Sequence, residues 1–134
     1  MSHPFQPRET RVPLAQRLTA HVAVTTARLL ATRSPKRIRQ ILTTLQRGST
    51  PATYEQALRA RTTITAVSSR CSGKYCLERS LAATLLCRSN GAWPRWCAGV
   101  RATAPFASHA WIEADGIPVE EPSSIANYHA IVAV

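Results

Sequence analysis

The sequence predicts an α+β fold, with N-terminal helices followed by a small antiparallel sheet. Three observations carry this. Apolar residues recur at helical spacing early in the chain, as in Leu14, Leu18, Val22, Leu29 and Leu30, and again in Ile38, Ile41, Leu42 and Leu45. After Asn90-Gly91 the texture changes to short apolar runs, and residues 96–102 and 108–114 read as strands. Asp115-Gly116 between apolar runs is a hairpin signal. Helices first and an antiparallel sheet after is the α+β arrangement.

The elements follow in order. Residues 1–12 read as a mobile arm, and 13–134 as one domain with a helical part (13–67) and a helix-plus-sheet part (70–134). Pro13 starts a helix of about five turns, because proline is tolerated in the first turn, where its missing N–H is not needed. Ser34-Pro35 starts the next, serine capping and proline at the first helical position. Gly48 ends it, and Lys36, Arg37, Arg39 and Arg47 form its polar face. A third helix begins near Thr50-Pro51 and carries Tyr54, Ala57, Leu58 and Val67, although Thr62-Thr63-Ile64-Thr65 is a poor helix former. Residues 68–73 form a loop, 75–88 a fourth helix, 117–120 a short return strand and 129–134 a last strand.

Charge is the unusual property of the composition. Among 134 residues there are 17 Lys+Arg against 7 Asp+Glu. Such a surface favours an acidic partner: nucleic acid, an anionic membrane, or an acidic peptide or protein. An equally ready reading is a surface whose polarity simply comes from arginine. The first ten residues show no apolar signal region. The stretch around 18–31 is interrupted by His21, Arg28 and several threonines, too polar to span a membrane. The expectation is a cytoplasmic protein, where thiols stay reduced.

The compartment guides the reading of Cys71, Cys76, Cys87 and Cys97. Disulfides are disfavoured there, and no C-x-x-C pair or histidine pair has metal spacing, so neither metal nor cofactor is expected. Cys87 and Cys97 read as buried small hydrophobes, and Cys71 as a loop residue open to exposure. Cys76 differs, because it opens the fourth helix. Unpaired N–H groups and the positive dipole end at a helix N-terminus stabilise a thiolate. His109 lies on a strand, in Ser108-His109-Ala110-Trp111-Ile112-Glu113, where an imidazole can take the thiol proton and later return it. His3, His21 and His129 are its rivals, on the arm, on a distant helix and near a strand end.

These blocks carry a resemblance. Residues 76–86, then Asn90-Gly91, Gly99-Val100-Arg101, Pro105-Phe106 and residues 109–116 resemble the transglutaminase-like leader peptidases of lasso-peptide biosynthesis, the lasso B2 proteins. The resemblance covers roughly residues 70–122. It implies a transglutaminase/papain-like cysteine peptidase core that removes the leader from a ribosomally made lasso precursor through an acyl-enzyme on Cys76. It implies His109 as base and acid, with Trp111 walling the site from water. It implies a separate leader-binding partner, a RiPP recognition element protein, and a cyclase that receives the freed amine.

A third residue should orient His109. The resemblance implies an acid at the end of the return strand, often before a proline, which Glu121-Pro122 matches with glutamate in place of the usual aspartate. Glu120 and Asp115 are the other candidates; Glu120 points to the opposite face of a regular strand, and Asp115 serves the turn. Glu113 shares the face of His109, and Ser80 reads as a packing residue. The Cys76 N–H is one oxyanion donor, with Ser69, Ser72 or loop backbone open for the second. Two other activities compete: a transglutaminase-like acyltransferase, using an amine in place of water, and a basic nucleic-acid binder with the second and third helices as a helix-turn-helix.

Overall fold

The computed structural model describes residues 12–71 and 75–134, so the expected N-terminal arm lies outside the described residues except for its last position. The chain runs α1 (Leu14–Leu30), α2 (Pro35–Gln46), β1 (Thr50–Pro51), α3 (Tyr54–Val67), α4 (Cys76–Ser89), β2 (Ala92–Trp93), β3 (Arg95–Arg101), β4 (Ser108–Ala114), β5 (Ile117–Pro118), a 3-10 turn (Ser123–Asn127) and β6 (Tyr128–Ala133). Helices precede an antiparallel four-stranded sheet of order β5-β4-β3-β6, which is the expected α+β pattern.

The first helix forms as expected, but the residues that announced it face outward. Leu14, Leu18, Val22 and Leu29 are exposed, whereas Ala20, Ala23, Ala27 and Leu30 are buried. Alanines are small enough to let α1 lie close on α4 and α3. In α2, Ser34 accepts a bond from the Arg37 N–H at 3.3 Å, Pro35 opens the helix, and Ile38 and Leu42 reach the core.

The third helix begins later than the sequence suggests. Thr50-Pro51 is not its first turn but a short strand that pairs in parallel with Ala92-Trp93. Thr53 then caps the helix in a reciprocal pair with Gln56: the Gln56 N–H donates to the Thr53 hydroxyl at 3.1 Å and the Thr53 N–H to the Gln56 side-chain Oε1 at 2.9 Å. Asp115 completes the cap by accepting from the Tyr54 N–H at 3.0 Å. The threonine-rich run stays helical because Thr63 and Ile64 are buried, so packing overrides weak propensity.

The fourth helix is the centre of the molecule. Its buried residues, Glu78, Ser80 to Thr84, Leu86 and Cys87, surround the axis rather than forming one stripe. It packs on α1 and α3 and also on β4. One core cluster joins these layers, from Ala20 in α1 through Leu81 in α4 to Ala110, Ile112 and Ala114 in β4.

In β4 the side chains alternate. Ala110, Ile112 and Ala114 enter that core, which turns His109, Trp111 and Glu113 to the other side. Strand β3 pairs His109 with Gly99. Its pairing with β6 shifts register between Ala98 and Gly99. A Cβ on Gly99 would lie 2.1 Å from the His129 carbonyl oxygen, so this close approach admits glycine alone. The hairpin turn at Asp115-Gly116 has both residues at positive φ, 54° and 75°. The return strand is shorter than expected: pairing covers Ile117–Pro118, the Val119 N–H still reaches the Ile112 carbonyl at 2.9 Å, and Glu120 breaks away at φ 54°. Among the described residues no helix is long and apolar enough to cross a membrane.

Candidate active site

Cys76 is the first residue of α4, and Tyr75 before it supplies no side-chain cap. The first N–H groups of a helix lack intrahelical partners, so the thiol sits where positive potential is concentrated. Strand β4 lies against α4 and carries His109 toward the thiol. The neighbouring imidazole is the largest influence holding the Cys76 thiol below its ordinary range. Burial opposes the shift; a hydrogen bond with the Ala110 backbone and the charges of His109 and Arg79 reinforce it.

The far side of His109 is also engaged. Its Nε2 lies 2.8 Å from the Glu121 carboxylate, whose side chain is only 4% exposed. With Nε2 taken, Nδ1 is the nitrogen left to face the thiol. Cys76 first, and then the hydrogen-bonded Glu121 carboxylate, raise His109 to about 9, against burial. A lowered thiol beside a raised imidazole favours a thiolate–imidazolium pair, the nucleophilic form of a Cys/His centre. The break of the chain at Glu120 aims Glu121 inward, while Glu120 itself is exposed.

Aromatic rings enclose the imidazole. Trp111 stacks on it, with centroids 5.9 Å apart and planes 13° from parallel. Tyr128 tilts against it at 5.7 Å and meets Trp111 edge-on at 6.3 Å. Trp111 is held in turn: its indole N–H donates to Glu113 at 3.0 Å, and Glu113 pairs with Arg95 at 3.3 Å. Glu113 thus shares the histidine's face and acts on its neighbour tryptophan.

The remaining candidates fall elsewhere. Asp115 caps α3, and His21 and His129 are exposed. Ser80 accepts from the Trp96 indole N–H at 3.1 Å and donates to the Leu77 carbonyl at 3.0 Å, a packing role. Cys71 is buried, contrary to the exposure allowed for it, with its N–H on the Ser68 hydroxyl at 3.2 Å. Burial pushes Cys87 up to about 12 and Cys97 to about 11, which makes both poor nucleophiles at neutral pH. His3 and Ser72 lie outside the described residues, and Ser69 is exposed. All four cysteines are free. Among the described residues no group of three or more His, Cys, Asp or Glu is gathered to hold a metal ion.

Sequence reasoning missed three features. Tyr128 gave no local signal, since only strand pairing carries it to His109. Arg70 grips Glu78 through two bonds of 2.7 and 2.9 Å and lies 4.0 Å over the Tyr75 ring, tying the residues just before and after Cys76 together. Arg79 stands one turn after Cys76, a helical spacing that could have flagged it.

A cysteine at a helix N-terminus and a histidine on the adjoining antiparallel sheet form a candidate thiol site. Over residues 20–133 the chain matches the Transglutaminase-like superfamily. The protein belongs to that superfamily, which includes cysteine peptidases and acyltransferases. No curated protein and no solved structure matches it.

Proposed function

We propose that this protein is a cytoplasmic thiol protease that removes the leader from a lasso-peptide precursor, with Cys76, His109 and Glu121 as its catalytic residues. The reading draws on the sequence resemblance for its substrate. One observation supports its chemistry most: the His109 imidazole, paired with the Glu121 carboxylate at 2.8 Å, acts on the Cys76 thiol at the start of α4 and lowers it. The Cys76 thiolate attacks the carbonyl carbon of the last leader residue. As the tetrahedral intermediate collapses, the amide C–N bond breaks and the His109 proton passes to the leaving amine of the core peptide. His109 then takes a proton from water, whose oxygen displaces the thiolate from the thioester and leaves the leader as a carboxylate. Glu121 holds the imidazole in register and stabilises its charged form. The Cys76 N–H is the first oxyanion donor.

The proposed partners are the precursor peptide, a separate leader-binding RiPP recognition element protein, and a cyclase that takes the freed amine. No cofactor enters this scheme. The test is mass spectrometry of precursor incubated with the protein and its leader-binding partner, with and without an added primary amine. Hydrolysis yields two free peptides, and transfer yields a new amide. Two free peptides from the wild type and none from Cys76→Ala support the proposal. Cleavage by Cys76→Ala at a near wild-type rate overturns the mechanism, and a new amide reassigns the chain to acyl transfer.

A further inference from the structure

We propose that Arg61 and Arg79 form an anion subsite beside His109, which takes an acidic side chain of the peptide close to the scissile bond. The proposal rests on the peptide-cleaving reading above and adds a specificity to it. Two helices converge to make the subsite. Arg61 comes from α3 and Arg79 from α4, and both line an open cleft of about 240 Å³ whose wall includes His109, Tyr128 and Ser124.

Both cations sit where an added anion would be favourable. Arg79 is the fourth residue of α4, close to the end of the helix where the dipole disfavours a cation. It is anchored by a bond to the Cys71 carbonyl at 3.4 Å, so its charge is held near the site. Arg61 is half-buried, and among the described residues no ion pair or hydrogen bond holds its guanidinium. Burial and then the charge of Arg79 lower its affinity for its own proton. A partly desolvated guanidinium pushed by a second one is poised for a carboxylate, with which it makes charge-assisted, often bidentate bonds.

The acids in the cleft leave room for one more. Glu121 is committed to His109 at 2.8 Å. Glu120 is exposed on the rim, and the attraction of both acids for Arg61 ranks below burial and Arg79. Tyr54 acts on Arg61 more weakly still. The hydroxyls of Ser124 and Tyr128 on the same wall can donate to a carboxylate. The excess of cations over the chain steers an acidic segment toward the same place.

The experiment uses epoxysuccinyl peptide diamides, whose warhead carries residues on both sides. The Cys76 thiolate opens the epoxide; a C–S bond forms, a C–O bond breaks, and the alkoxide takes the His109 proton. A set of probes places Glu or Gln at each position in turn, and mass spectrometry follows labelling of Cys76. At one or two positions the Glu probe should label wild type at least about tenfold faster than its Gln twin, the order for a charge-assisted bond. In Arg61→Gln that ratio should fall to about one, in Arg61→Lys it should partly return, and Arg61→Glu should favour a Lys probe at the same position. An Arg61 with a purely structural role slows all probes alike and leaves the ratio in place. Equal labelling by Glu and Gln probes throughout, or a preference that survives in Arg61→Gln, overturns the subsite alone. Failure of every probe to label Cys76 removes the underlying peptidase reading as well.

Discussion

Cys76 and Glu121 act on His109 in the same direction, and this sets the pH behaviour of the site. Its imidazolium persists to about 9, while the Cys76 thiol ionises below its ordinary range. Cleavage should therefore follow a bell. The acid limb reports Cys76 losing its proton, and the alkaline limb, near pH 9, reports His109 losing its own. Removing the Glu121 charge with Glu121→Gln keeps the shape but takes away the carboxylate that helps raise His109. The alkaline limb should move down from about 9 toward the ordinary 6.5, with a lower rate at the plateau. A profile of rate against pH for both proteins checks this, and an unmoved limb would assign the orienting role elsewhere. The same shift has a stability sign. A folded-state value above the unfolded 6.5 means that the contribution of His109 is fully present below 6.5 and is lost as the pH rises through about 9. Thiol reactivity should divide just as sharply. A limited amount of iodoacetamide near pH 7 should modify Cys76 ahead of Cys87 and Cys97, whose thiols burial holds protonated, as peptide mapping would read.

Among the elements, β3 and β6 meet at a contact that only glycine allows. Gly99→Ala would put a methyl group against the His129 backbone, not against a side chain that could swing aside. The strands must part, and the loss should be about 1–3 kcal/mol in urea unfolding, the usual cost of overpacking. Because Gly99 pairs with His109 on one side and β6 carries Tyr128 on the other, cleavage should fall as well. Cys87→Ala makes the contrasting case: Cys87 is buried away from the site, so the change should cost about 1 kcal/mol of stability and leave the pH profile as it was. The helices and the main hairpin were legible because their signals are local: Ser34-Pro35, the glycine stops, and Asp115-Gly116. The start of α3 was not, because Thr50-Pro51 is spent on a parallel partner some forty residues away. The orientation of α1 was not legible either. Its leucines mark a helical period, but the buried face is the one whose alanines fit against α4.

Over the whole molecule the charge is +10, and in α2 Lys36, Arg37 and Arg39 are all exposed. A surface of this kind steers an acidic partner, and the effect fades with salt, because the Debye length falls from about 10 Å at 0.1 M to about 3 Å at 1 M. Reversing these three charges should slow association with the leader-binding partner and its peptide, with little change in the reaction of Cys76 with iodoacetamide. Stopped-flow rates across a salt series check it, and rates indifferent to both salt and mutation would make the charge a solvated surface only. The sequence alone determined the order of the four helices and the main strands, the helix that carries Cys76 in its first turn, the strand that holds His109, and Glu121 among the candidate acids. All of these depend on neighbours in the chain: caps, periodicity, turn dipeptides and a family pattern. The tertiary structure decided what depends on packing across the chain. It bent the backbone at Glu120 so that Glu121 meets His109, set Tyr128 against the imidazole, turned the α1 leucines outward, and brought Arg61 and Arg79 from separate helices into one cleft. Contacts of this kind join residues far apart in sequence, and local periodicity has no term for them.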